Sequence, residues 1–188
     1  VQLRDIGIHY LEEMLLVDGN EIQIFDDCNL LDRTQFWSAP DTFNSLSPEA
    51  KTQVHGLKLF TDGAIGSESA AIQRPFLTGK GTNRGMLIYS DSELASAIDQ
   101  CLETEKSLAI HAIGDRAIEQ TVSTLKQLTT RLSRAPEIRI EHAQLITEEQ
   151  ANAAIDLGIK LCMQPNFSSD SSNYADRLDR EYCTGNNP

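Results

Sequence analysis

With 188 residues and a formal net charge of −12, the chain can build one substantial core, and its acidity argues against nucleic acid or an anionic membrane surface as a partner. No apolar run approaches the roughly 18 residues of a membrane-spanning helix, and no leader-like segment stands at the amino end. The four cysteines, Cys28, Cys101, Cys162 and Cys183, show no paired spacing, which suits a reduced, cytoplasmic protein better than a disulfide framework.

In chain order, Ile6, Tyr10, Leu11, Met14, Leu15 and Val17 fall at mostly helical spacing, so residues 4–17 are expected to be a helix that Asp18-Gly-Asn20 ends. Glu21 to Phe25, with β-branched Ile22 and Ile24, reads as a short strand, and residues 26–46 as irregular. Ser47-Pro-Glu49 opens a short helix, with serine as cap and proline in the first turn. Gly56-Leu-Lys-Leu-Phe-Thr-Asp62 is a strand closed by Gly63, followed by a long Gly/Ser/Thr-rich loop to about residue 85 and a small extension over Met86–Tyr89.

The pattern then becomes regular. Ser90-Asp-Ser-Glu93 is a capping box opening a helix to about Glu105, and Leu108 to His111 is a strand. Residues 115–132 carry Ile118, Val122, Leu125 and Leu128 on one helical stripe, and Glu137 to His142 is the next strand. Thr147-Glu-Glu-Gln150 starts a helix ending at Gly158. Ile159 to Gln164 is a strand stopped by Pro165, residues 166–173 a loop, and 174–183 a terminal helix. Alternating strands and helices at this cadence mean parallel βα units.

Lys58, Phe60 and Asp62 share one face of their strand, and Leu57, Leu59 and Thr61 the other, so Lys58 is expected to point away from the helices. A buried ammonium needs a carboxylate, a lowered pKa or chemical modification, and a Lys58–Asp62 ion pair is one of the readings left open. His111 and His142 each end a strand, and neutral imidazoles at neighbouring strand ends suit a zinc-type site, which needs three or more convergent donors. In the strand of His142, alternation turns Arg139 and Glu141 toward the helices. Asp115 could act on a substrate but better suits a helix cap, Arg116 could meet substrate or solvent, and Gln164 could line the pocket. His9 and His55 have no supporting residues and read as structural. The loop Gly63–Ser69 could cradle a phosphate, although it lacks a Walker lysine and dinucleotide spacing.

Three stretches together, Gly56-Leu-Lys-Leu-Phe-Thr-Asp-Gly-Ala-Ile-Gly-Ser67, His111-Ala-Ile-Gly-Asp-Arg-Ala117 and Arg139-Ile-Glu-His-Ala-Gln144, resemble the amidohydrolase superfamily. The match is to its family 3 branch, which includes N-substituted formamide deformylase-like enzymes. The resemblance runs from about residue 50 to residue 170, with Met163-Gln-Pro165 fitting the next strand. It implies a metal-dependent hydrolase of C–N bonds, acting on small amides or cyclic amides, on a (β/α)8 barrel. It further implies that Lys58 is a strand-four lysine, often carboxylated in the family, and that His111 and His142 are the strand-five and strand-six ligands of one or two divalent ions, zinc being expected. Asp62, Asp115, Arg116 and Gln164 are the candidates to line the substrate site. A metal-held hydroxide would attack the carbonyl while a strand-eight aspartate moves the proton.

The sequence departs from this pattern in two ways: no His-x-His pair is present, and no strand-eight aspartate follows. A complete barrel takes roughly 250 residues. The expectation is therefore a single partial barrel domain over residues 1–188, holding about strands three to seven, without the first and last. It is expected to be inactive by itself, to bind metal weakly, and to self-associate through its open strand edges. The alternatives are a phosphate- or small-ligand-binding α/β module and a non-catalytic interaction fragment.

Overall fold

The computed structural model describes residues 3–167 and 176–186. Six parallel strands lie side by side in sequence order: β1 (Leu11–Leu16), β2 (Thr34–Ser38), β3 (Val54–Phe60), β4 (Ser107–Ala112), β5 (Ile138–His142) and β6 (Lys160–Cys162). The crossovers carry helices α1 (Gly19–Asp27), α2 (Pro40–Ser45), α3 (Pro48–Gln53), α4 (Asp91–Glu103), α5 (Asp115–Gln127) and α6 (Glu148–Asp156), and α7 (Arg180–Gly185) ends the described chain. A singly wound parallel sheet of this kind is part of a (β/α)8 barrel. No helix among the described residues is long and apolar enough to cross a membrane.

The amino-terminal third corrects the sequence reading. Residues 11–16 form a strand where a helix was expected, residues 19–27 a helix where a strand was expected, and β2 lies inside the stretch read as irregular. The described sheet therefore has six strands, against the five of a strand-three-to-seven reading. The reason is local ambiguity. Asp18, read as a helix stop, is a helix start: its backbone is extended and its carboxylate accepts the Asn20 N–H at 2.7 Å. The apparent helical stripe buries little, since Tyr10 and Val17 remain largely exposed; pairing with β2 decides the conformation instead.

From β3 onward the expected elements form. Both capping boxes, at Ser90–Glu93 and Thr147–Gln150, have both reciprocal bonds. The helix expected over 115–132 ends at Gln127 and passes into a 3-10 turn over Thr129–Arg134. Met86–Tyr89 is not a strand, although the Ile88 N–H donates to the Thr61 carbonyl at 2.9 Å. The expected loop 166–173 lies mostly outside the described residues; residues 176–179 are not helical, and the terminal helix expected over 174–183 begins only at Arg180, capped by Asp179.

Leu57, Leu59, Leu108, Ile110, Ile138 and Ile140 on one face of the sheet pack with Leu94, Ile98 and Leu102 of α4 and Ile118 and Leu125 of α5. Each such side chain contributes roughly 1.5–3 kcal/mol by leaving water. The opposite, inner face carries chemistry. Register places Lys58, Ala109 and Arg139 in one row, and Phe60, His111, Glu141 and Cys162 in the next.

Candidate metal centre

The two histidines reach the inner face by different routes. His111 belongs there by alternation, in register with Phe60. His142 follows Glu141 and by alternation should face the helices. It does not, because its backbone enters the left-handed region (φ 73°), as does that of Ala143 (φ 45°), and the Ala143 N–H donates to the Glu141 carbonyl at 3.0 Å. This tight three-residue turn swings the imidazole to the inner side. Such strain in non-glycine residues persists where the surroundings over-determine it, often at functional sites. The result is an edge-to-face pair, with the His111 and His142 ring centroids 4.8 Å apart.

The same turn corrects the expected direction of Arg139 and Glu141. Anchoring the alternation on His142 turned both toward the helices; both are in fact on the inner face. Arg139 makes paired 2.9 Å bonds to both carboxylate oxygens of Glu12 on β1, ion-pairs with Glu141, and lies 4.3 Å over the Trp37 ring. Sequence alone offered one clue, the two-residue spacing of Arg139 and Glu141, and no sign of Glu12 as their partner.

Lys58 lies on this face, 4% exposed and 5.3 Å over the Phe60 ring. Among the described residues it makes no ion pair or hydrogen bond, so the Lys58–Asp62 pair does not form. Burial pushes its ammonium down to about 8, with Glu141 opposing the shift and Arg139 reinforcing it. A lysine depressed in the folded state loses its proton before the unfolded chain does. Between about pH 8 and the ordinary lysine range the unfolded state binds more protons, so stability rises with pH across that window, by about 3 kcal/mol in all. Denaturation midpoints taken from pH 7 to 10 should show this rise, and Lys58→Met should abolish it while raising stability at pH 7. A flat wild-type profile would contradict the unpaired, buried ammonium.

Asp62 has another task. Its Oδ1 accepts the Ile113 N–H at 3.0 Å, and its Oδ2 accepts those of Ala71 and Gly114 at 2.9 and 2.8 Å. The carboxylate thus binds the loop after β3 to the turn after β4, with His111 Nε2 3.4 Å away. Strand β3 ends at Phe60, so alternation no longer governs where Asp62 points. Asp115 is not a cap either: Gly114 occupies that position, and Asp115 is buried in the first turn of α5, accepting the Gln73 N–H at 2.9 Å. Arg116 is half-buried, and its backbone N–H donates to the Ala71 carbonyl at 3.1 Å. Gln164 approaches His142, its Oε1 2.7 Å from Nδ1. His55 packs edge-on against Trp37, ring centroids 5.0 Å apart, and His9 is exposed. The site is therefore Lys58, His111, His142 and Gln164, with Asp62 beneath it and Asp115 tied to the loop behind.

Two aromatic walls were missed from sequence. Phe60 lies 5.2 Å from the His111 ring, and Phe167 stacks on His142 at 5.8 Å. The position of Phe60, two residues after Lys58 on one strand, could have revealed the first. Much of the expected phosphate cradle bonds within the protein: the N–H groups of Gly63, Ala64, Glu68 and Ser69, and of Ala70 beyond it, all bond inside the loop. That leaves the phosphate-module reading with fewer donors than the sequence offered.

The donor chemistry partly fits a divalent ion. Burial holds His142 below the usual imidazole range, favouring the neutral form that ligates. The Gly63 carbonyl only accepts, so His111 Nε2, 2.9 Å from it, is the donor, and in a neutral ring the lone pair is on Nδ1. Among the described residues, however, no three His, Cys, Asp or Glu side chains converge. The chain supplies two imidazoles and an unpartnered lysine, a partial donor set.

Residues 12–188 match the family described as the amidohydrolase family. YtcJ of Bacillus subtilis (strain 168), whose name carries the word amidohydrolase, is 32% identical over 126 residues, which cover 66% of this chain and 23% of YtcJ. Protein LONG AFTER FAR-RED 3 of Arabidopsis thaliana is 29% identical over 67% of this chain and 22% of its own length. The chain thus spans less than a quarter of these curated relatives. Among solved structures, an uncharacterized metal-dependent hydrolase from Pyrococcus horikoshii OT3 superposes with a TM-score of 0.77 at 22% identity, over 97% of this chain and 38% of that one. One from Pyrococcus furiosus gives 0.78 at 21%, over 98% and 40%. At these identities the likeness is one of fold.

Proposed function

Because this chain belongs to the amidohydrolase family, we propose that it is the central part of a metal-dependent hydrolase that cleaves the C–N bond of a small amide or cyclic amide. The observation that carries the reading is the meeting of His111 and His142 at the carboxyl ends of adjacent strands, beside a buried Lys58 that makes no ion pair among the described residues. His111 and His142 would hold a divalent ion, zinc being the ion proposed, which when bound would activate water and polarise the scissile carbonyl.

The chain's own residues prepare that chemistry. Lys58, depressed to about 8, holds enough neutral amine near pH 7 to add CO2; the ammonium gives up one proton to become that amine and a second as the N–C bond forms, leaving an anionic carbamate ligand in place of a buried cation. Asp62 fixes the turn that carries Ile113 and Gly114, and so the end of the strand bearing His111. Phe60 and Phe167 flank the histidines with apolar surface that would exclude water from one side of a bound amide.

The test is chelator-sensitive hydrolysis of a panel of N-substituted amides and cyclic amides by the longest gene product carrying this chain. His111→Asn and His142→Asn should each remove activity by at least about 10²-fold. Activity that survives both substitutions, or is untouched by chelation, would sink the reading. The 188 residues alone are expected to bind zinc weakly and turn over no amide. They are also proposed to self-associate through the open edges of β1 and β6, and a monodisperse monomer in light scattering would refute that.

A further inference from the structure

The sequence suggests Gln164 as a residue that lines a pocket. Its side chain makes two hydrogen bonds, one from each end of the amide. The amide Nε2 donates to the Cys162 carbonyl at 3.3 Å, and this bond fixes which way the amide is turned. Oε1 then faces His142 Nδ1 at 2.7 Å. An amide oxygen only accepts, so the proton of the neutral imidazole must be on Nδ1, and the lone pair on Nε2.

The backbone is consistent with this placement. Gln164 follows β6 by two residues, and Pro165 disfavours helical conformation at it. The Phe167 N–H closes the following turn onto the Gln164 carbonyl at 3.0 Å. Phe167 then stacks on the outer face of the His142 ring, so the imidazole is held by its edge and by its plane. We propose that Gln164 is a positioning residue that sets the tautomer of His142, presenting Nε2 as the free donor atom. The consequence for metal binding rests on the reading of His142 as a ligand; the tautomer assignment does not.

The experiment is long-range ¹H–¹⁵N correlation of the imidazoles in the metal-free 188-residue chain, with His142→Gln used to assign the signal. Wild type should show the proton on Nδ1. Gln164→Leu, which removes the acceptor, should move it predominantly to Nε2, the form free imidazole prefers. Gln164→Glu, which keeps an acceptor oxygen, should retain Nδ1–H. A wild-type Nε2–H signal, or Nδ1–H persisting in Gln164→Leu, would overturn the proposal. Zinc affinity separates the two layers: Gln164→Leu should weaken it about 10- to 100-fold. A tautomer change with unchanged zinc affinity would uphold the positioning role and strike His142 from the ligand set.

Discussion

Replacing Asp62 with alanine is expected to lower the unfolding free energy by about 4 kcal/mol. The carboxylate accepts three backbone N–H groups, from Ala71, Ile113 and Gly114, and its side chain is fully buried. A net contribution of about 1.5–3 kcal/mol for each hydrogen bond to a charged group would give a larger figure, but water entering the vacated space recovers part of it. Close packing restricts how far the segment can relax, since a Cβ at Gly114 would come within 1.9 Å of the Ala71 carbonyl oxygen. Asp62→Asn is expected to be intermediate, about 2 kcal/mol, because one of its two polar atoms becomes a donor facing a donor. Denaturant midpoints at constant slope measure both, and a loss below about 1 kcal/mol for the alanine variant would contradict the anchoring role.

Arg139→Met is the second large effect, an expected loss of about 3 kcal/mol. Its side chain is nine-tenths buried and answers three carboxylates, Glu12, Glu141 and, at 3.7 Å, Glu137, while stacking on Trp37. Truncation leaves the buried Glu141 without its counter-charge, and that uncompensated anion, more than the lost attraction, sets the size of the effect. A neutral partner should therefore restore much of the loss, and Arg139→Met with Glu141→Gln should recover at least about half of it. If the double variant is no more stable than the single, the loss belongs to the packing on Trp37.

Sequence patterns specified the half of the fold from β3 to α6, where capping boxes, apolar stripes and strand ends agree with one another. They misdirected the reading at Asp18-Gly-Asn20, whose residues stop one helix or start another equally well, and tertiary pairing of β1 with β2 made the choice. Lys58 was visible as an inward residue of its strand, and His111 and His142 as residues at strand ends. The face of His142 and of its strand neighbours was not, because alternation fails where the backbone turns left-handed, as it does at His142. The partners of Arg139 and Asp62 were hidden for a different reason: both contacts span long stretches of chain, and no periodicity encodes them.

The bridge between Glu12 and Arg139 also reports on shape. Their strands are first and fifth in a sheet whose neighbours lie about 4.8 Å apart, so in a flat sheet β1 and β5 would be separated by about 19 Å. That is farther than a glutamate and an arginine can reach together, yet their side chains meet at 2.9 Å. The sheet must already be curled, and the curl is pinned from within by these two residues. A barrel assembled on this chain would inherit its curvature before any further strand closed it.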